Sequence, residues 1–204
     1  MELTPLSGAD YDLVQEQLRR EPRGAVYVAS RCPFGKVQVI ITSPMVEGET
    51  PFPTLFWLTC PLLKRDIGRL ESSPFRGYLA ERLAKDPLFA QQLREAEDSY
   101  KWEREKLAEK LGVIRLLTGV FDGKDGIGGT CAGGLKCFHA HYAQWLVTGS
   151  NPVGAAIEEE IAGLQSRICL GTCGHYRSDR CDQAEDEPEQ ERGSLGQALD
   201  EGRS

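Results

Sequence analysis

The segment that decides the fold of this chain is Thr54-Leu55-Phe56-Trp57-Leu58-Thr59-Cys60-Pro61. Its near-continuous apolarity predicts a buried β-strand in a central position of a sheet. The strand should end where a helix begins at Pro61, because proline fits the first helical position and its missing N–H is not needed there. The sequence therefore predicts a strand that leads directly into a helix, with Cys60 at the junction.

A β-hairpin is predicted before this strand. Residues 25–29 and 37–42 are rich in β-forming side chains. The segment between them, Cys32-Pro33-Phe34-Gly35-Lys36, contains the proline and glycine of a turn, and Cys32 stands at the bend. The hairpin and the third strand together give a small sheet of about three strands.

The rest of the chain is predominantly helical. A short helix is expected at about residues 11–20, and later helices over about 88–111, 135–147 and 155–164, whereas residues 113–121 fit a strand and a helix equally well. Proline at the first helical position marks four helix starts. These are Cys60-Pro61, Ser73-Pro74, Asp86-Pro87 and Asn151-Pro152. The pattern predicts an α+β fold in which five or six helices pack on the small sheet.

Length and charge predict one domain followed by an acidic tail. The 204 residues suit a single α+β domain over 1–165. Residues 179–204 contain nine acidic and three basic side chains, so they carry −6 of the formal charge of −7. We expect the Cys-containing tail, 166–204, to be disordered. The remainder is nearly neutral, which argues against nucleic acid as a partner.

The composition also predicts a cytoplasmic location. The first residues lack the basic and apolar regions of a signal peptide, and no apolar run approaches the ~20 residues of a membrane span. Seven cysteines are an odd number, and a reducing compartment disfavours disulfides. Metal binding or reactive thiols are therefore the expected uses of the cysteines, although buried cysteines can also serve as small apolar residues.

A metal site is the first hypothesis for the cysteines and histidines. In a regular helix from Leu135, Cys137 and His141 share one face because they are four residues apart, and His139 lies on the other side. If the helix begins only near His139, Cys137 lies outside the regular helix. His139 can then compete with His141 as the histidine ligand. The predicted ligands are Cys32, Cys60, Cys137 and His141, with His139 as the next candidate. This Cys3His composition suits zinc, an iron–sulfur cluster is the alternative, and inert cysteines that hold no cofactor are a third interpretation.

Two further interpretations stay open at this stage. Cys60 or Cys137 could act as a nucleophile beside a histidine base. Gly128, Gly129, Lys136 and Arg31 form a weak candidate for an anion site, since exposed amides and a lysine at a helix start can hold phosphate; a mobile connector is the simpler interpretation of that loop. The tail cysteines, Cys169, Cys173 and Cys181, resemble a zinc knuckle only loosely.

Several motifs resemble one bacterial family, the domain-of-unknown-function family numbered 501. They are Glu21-Pro22-Arg23-Gly24, Arg31-Cys32-Pro33-Phe34-Gly35, Pro51-Phe52-Pro53-Thr54-Leu55-Phe56-Trp57-Leu58-Thr59-Cys60-Pro61, Gly126-Ile127-Gly128-Gly129, Lys136-Cys137-Phe138-His139-Ala140-His141-Tyr142 and Asn151-Pro152-Val153-Gly154. The resemblance spans about residues 10–160. It implies a bacterial cytosolic protein without an established activity. Family members tend to lie near genes for enolase, a septum-formation initiator and an exopolyphosphatase.

The expected function is a metal-binding protein with a binding or regulatory role. One alternative is a Cys/His-dependent hydrolase or transferase that acts on a phosphorylated or acyl substrate. Another is an adaptor for cell-division proteins. The expected partner is accordingly a protein or a phosphorylated small molecule, and the sequence does not decide between them.

Overall fold

The structure is a computed structural model that describes residues 3–24, 26–46, 50–162 and 173. It confirms the α+β fold. The strands are β1 (Thr4–Pro5), β2 (Val26–Arg31), β3 (Val37–Thr42), β4 (Met45–Val46), β5 (Thr50–Pro51) and β6 (Phe56–Leu58). The helices are α1 (Gly8–Leu18), α2 (Pro61–Glu71), α3 (Phe75–Lys85), α4 (Pro87–Lys110), α5 (Phe138–Thr148) and α6 (Pro152–Ala162). The predicted tail lies outside the described residues except for Cys173.

The main sheet is antiparallel and has the order β1-β2-β3-β6. The predicted hairpin is confirmed as β2 and β3, which pair Tyr27 with Ile41 and Val28 with Ile40. β6 continues the sheet by pairing with β3. The predicted central position of this third strand was wrong, because β6 lies at the end of the sheet and β3 lies inside it. β6 is apolar because α5 packs against it.

Two of the predicted helix starts carry capping hydrogen bonds from a side chain. The carboxylate of Asp86 accepts hydrogen bonds from the N–H groups of Leu88 and Phe89, both at 3.0 Å. The amide oxygen of Asn151 accepts one from Gly154 at 2.9 Å. Such caps satisfy N–H groups that have no partner inside the helix. The start at Pro61 is also confirmed, and the helix predicted to start at Pro74 begins one residue later, at Phe75.

The start of α5 and the segment 113–121 differ from the predicted elements. The α5 helix begins at Phe138 instead of Leu135, and Cys137 is its N-cap residue in an extended conformation. The ambiguous segment 113–121 is neither a strand nor an α-helix; it forms a 3-10 turn at Ile114–Leu117, followed by further turns. No helix in the described ranges combines the length and apolarity of a membrane span.

The core lies between the sheet and the helices, and Tyr100 of α4 brings a polar group into it. Its side chain is fully buried, and its hydroxyl accepts a hydrogen bond from the backbone N–H of Leu55 at 2.6 Å. The ring of Tyr100 also meets Phe56 edge-on, with 5.8 Å between ring centroids. Tyr100 thus fixes the entry of β6 against the longest helix.

This anchor makes stability sensitive to alkaline pH. Burial raises the pKa of Tyr100 to about 12, whereas an unfolded tyrosine ionises near pH ~10. Its contribution is therefore complete below pH ~10 and is lost as the pH rises from ~10 to ~12. We expect Tyr100→Phe to cost ~1–3 kcal/mol at neutral pH, because the Leu55 N–H loses its acceptor. Urea unfolding should show this difference from the native protein shrinking between pH ~10 and ~12; a constant difference would contradict the assignment.

Candidate functional site

The end of α2 meets the start of α5 at a group of three potential ligands. Glu71 is the last residue of α2, Cys137 is the N-cap of α5, and His139 lies in the first turn of α5. One carboxylate oxygen, the thiol sulfur and one imidazole nitrogen all lie within 4.8 Å of one another. All three residues are half-buried. Across the described part of the chain, this is the group of Cys, His, Asp and Glu side chains compact enough to hold a metal ion.

The late start of α5 places Cys137 in this group. Arg76 of α3 donates hydrogen bonds to the carbonyls of Leu135 and Lys136, at 2.6 and 3.2 Å, and holds them outside the helix. The N–H of Phe138 then donates to Oε1 of Glu71 at 2.5 Å. A carboxylate at a helix N-terminus is favourable because the helix dipole is positive there. These contacts bring α2 and α5 together around the Cys137 thiol.

His139 presents one ring nitrogen to the group. Its Nε2 lies 2.9 Å from the carbonyl oxygen of Lys64, which accepts hydrogen bonds only, so Nε2 carries the proton. Nδ1 lies 3.3 Å from Oε1 of Glu71. In the neutral ring, Nδ1 therefore offers its lone pair towards the other two side chains. Burial lowers the pKa of His139, but the hydrogen bonds with Cys137 and Lys64 and the charge of Glu71 outweigh it, so the net pKa is raised.

His141 has a different environment. Its side chain is fully buried, Nε2 contacts the carbonyl oxygen of Gly134 at 3.1 Å, and Nδ1 contacts the side-chain amide of Asn151 at 3.2 Å. Burial lowers the pKa of His141 to about 4. Both ring nitrogens are thus used within the fold, and His141 is not part of the three-residue group.

Cys60 and Cys32 also lie outside the group. Cys60 is the N-cap of α2 and Glu71 is its last residue, so the 11-residue helix separates them by about 16 Å. Cys32 is in the β2–β3 turn, where its N–H donates to the carbonyl of Lys36 at 2.9 Å. Of the ligands predicted from the sequence, the group therefore contains Cys137 and the next candidate, His139.

The residues of the predicted anion site have different surroundings. Arg31 forms a 2.6 Å ion pair with Asp10, and Lys136 is exposed. Gly129 has a positive φ of 79°, and a Cβ there would lie 2.5 Å from Pro53, so glycine is required by close packing. The loop is also anchored, because the N–H of Gly133 donates to the buried carboxylate of Glu97 at 2.7 Å.

A pocket with a volume of about 340 Å³ adjoins the group. Cys137 and His139 line one part of it, and Phe56 and Leu58 of β6 line another. Lys64 also lines it. Burial lowers the pKa of Lys64, and the nearby positive charges of Arg19 and Arg20 lower it further, against the opposing effect of Cys60. The pocket thus has an apolar wall, a cationic side chain and two of the potential ligands.

Sequence reasoning missed Glu71 and Lys64. Glu71 is 66 positions from Cys137 and belongs to no Cys/His motif. One local signal exists, because a carboxylate in the last turn of a helix opposes the helix dipole and calls for a compensating partner. Glu71 finds that partner at the start of α5. Lys64 carries no comparable sequence signal, since only the tertiary fold places it in the pocket.

The fold and the site together define a class of protein: an α+β protein with a Cys/His/Glu group beside an apolar pocket. Such a group can coordinate a divalent metal through three protein ligands, or serve as a thiol nucleophile with a histidine base. The chain belongs to the family described as Protein of unknown function (DUF501), whose model matches residues 28–159. The sequence-based assignment to that family is thus confirmed. Searches of curated proteins and of solved structures gave no match.

Proposed function

We propose that this protein binds one zinc ion through Cys137, His139 and Glu71, and that it acts as a zinc-dependent binding or regulatory protein. Three protein ligands with a fourth position left to water or another ligand are typical of open zinc sites. The proposal includes a cytoplasmic location, because a thiolate ligand requires a cysteine that stays reduced.

The observation that carries this proposal is the orientation of His139. A metal-bound histidine usually donates its other N–H to a carbonyl or carboxylate, as Nε2 does to Lys64. Two zinc ligands at ~2.1 Å and a tetrahedral angle lie about 3.4 Å apart. The 3.3 Å between Nδ1 of His139 and Oε1 of Glu71 agrees with that spacing. An iron–sulfur cluster is not supported, because it normally requires four cysteine ligands.

The second candidate is a hydrolase or transferase that uses Cys137 as nucleophile and His139 as base. It is favoured by the proximity of the Cys137 sulfur to an imidazole nitrogen of His139, within 4.8 Å, and by the position of Cys137 at the N-terminus of α5. Glu71 would then orient the imidazole. This candidate predicts that the zinc-free protein reacts at Cys137 with iodoacetamide much faster than at exposed Cys131, and that added zinc does not protect Cys137.

The test is the zinc content of the untagged full chain and its variants after dialysis. We expect about one zinc per chain in the native protein, and at least a tenfold loss of affinity in Cys137→Ser, His139→Leu and Glu71→Gln, because each removes a ligand. Cys131→Ser is the matched control, since Cys131 is an exposed free cysteine outside the group. Native protein that binds no zinc, or a Cys137→Ser variant that keeps it, would contradict the proposal.

A further inference from the structure

We propose that the pocket beside Cys137 and His139 binds a small anion with an apolar body, the anionic group being a carboxylate or a phosphate monoester. The inference rests on the proposed function in one respect, since it takes this pocket as the access to the metal. It goes further by naming the chemistry of the ligand.

The apolar part of the ligand is indicated by the pocket wall. Phe56, Leu58 and Ala140 line the pocket together with Phe52. The volume of about 340 Å³ is at the lower end of the range of small-molecule sites. Phe52 is held in place by stacking on Trp57, with 5.5 Å between ring centroids and 18° between ring planes. A single aromatic ring or a short alkyl chain suits such a space.

The charge of the ligand is indicated by three cations. Among the described residues that line the pocket, Lys64 is the one lysine or arginine, and none carries a carboxylate. Arg19 and Arg20 lie close enough to Lys64 to influence it electrostatically, and Arg20 lies over the ring of Trp57 at 4.8 Å. Within the described ranges, none of the three forms an ion pair with a carboxylate. This local excess of positive charge belongs to a chain with a net charge of −7.

The apolar wall and the charge of Lys64 make separate contributions to the affinity. The apolar wall removes the body of the ligand from water, and the Lys64 ammonium pairs with its anionic group. A neutral analogue should lack the ion pair with Lys64, and an anion without an apolar body should lack the contact with the apolar wall. Carboxylates and phosphates share the chemistry that Lys64 recognises, so separate probes are needed to distinguish them.

The experiment is isothermal titration of the zinc-loaded full chain with phenylacetate, phenyl phosphate, benzyl alcohol and inorganic phosphate. We expect at least one of the two aromatic anions to bind at least about tenfold more tightly than benzyl alcohol and inorganic phosphate, because only these anions use both parts of the pocket. The preferred anion identifies the carboxylate or phosphate chemistry. Equal binding of benzyl alcohol, or no binding of either aromatic anion, would overturn the inference.

The variant Lys64→Met tests the same point within the protein. It keeps most of the alkyl stem and removes the charge, so we expect at least about a tenfold loss of affinity for the preferred anion with unchanged zinc content. Lys124→Met is the control, since Lys124 is exposed and outside the pocket. Native affinity in a folded Lys64→Met protein would overturn the inference. If Lys64→Met fails to fold, the comparison of the four probes on the native chain still tests the inference.

Failure of this inference is distinguishable from failure of the zinc proposal. The titrations are repeated on protein stripped of metal. Zinc binding without binding of either aromatic anion would overturn the ligand inference alone. Lys64-dependent anion binding in a chain that takes up no zinc would overturn the zinc proposal and leave the anion pocket supported.

Discussion

Gly154→Ala is expected to lower the free energy of unfolding by about 3 kcal/mol, which is the upper end of the usual cost of overpacking. Gly154 lies in the first turn of α6, where α6 crosses α5. A Cβ at this position would lie 2.3 Å from Cβ of Trp145 and 2.7 Å from the carbonyl oxygen of His141. The carbonyl oxygen of His141 belongs to the α5 backbone, and the Cβ of Trp145 is attached directly to that backbone. The two helices would therefore have to separate.

Gly77→Ala is the matched control for this substitution. Gly77 is an exposed residue of α3, and a Cβ there meets no atom of the described residues within 4 Å. Alanine should stabilise that helix by about 0.5–1 kcal/mol, because glycine loses more backbone freedom on folding. Chemical unfolding followed by circular dichroism measures both changes. A Gly154→Ala protein as stable as the native one would show that α5 and α6 are not in close contact.

The second large effect concerns the two histidines of α5, which are predicted to respond differently to the same substitution. His141→Leu should destabilise the protein by about 2–4 kcal/mol, because it leaves the Gly134 carbonyl and one amide hydrogen of Asn151 buried without partners. Asn151 also donates to Gln144 at 2.7 Å and caps α6 through Gly154. The loss would therefore spread to the α5–α6 junction.

His139→Leu should reduce the zinc affinity strongly and the stability only slightly. The His139 side chain is 28% exposed, so its removal should cost about 1 kcal/mol of stability in metal-free protein, the typical value of one hydrogen bond. Its zinc affinity should nevertheless fall, because a ligand is missing. Urea unfolding without metal and zinc content after dialysis are measured on both variants. A folded His141→Leu protein without zinc, beside a His139→Leu protein with normal zinc, would identify His141 as the ligand instead.

The sequence predicted the elements of this fold better than their arrangement. The hairpin and the helix starts at Pro61, Pro87 and Pro152 depend on local chemistry, such as the Asp86 and Asn151 caps, and the structure confirms them. The position of β6 in the sheet depends on which strand and helix it meets. Its apolarity indicated burial correctly, but burial under α5 and burial inside the sheet give the same pattern.

The candidate site shows the same limit at the scale of single residues. Cys137 and His139 were recognisable because they are metal-ligating side chains in one short segment. Whether His139 or His141 faces Cys137 depended on where α5 begins, and Arg76 decides this from a different helix. Glu71 was not predicted, because only the packing of α2 on α5 brings it to Cys137. The sequence thus suggested two members of the candidate group, and long-range contacts determine which side chains lie together in it.

X-ray absorption at the zinc edge of the native, zinc-loaded chain tests the central claim most directly. Coordination by Cys137, His139 and Glu71 predicts one sulfur at ~2.3 Å and lighter nitrogen or oxygen ligands at ~2.0–2.2 Å, including one imidazole. Cys137→Ser should remove the sulfur contribution. A shell of three or four sulfurs would contradict this site and point back to Cys32 and Cys60, and a shell without sulfur would exclude Cys137 as a ligand.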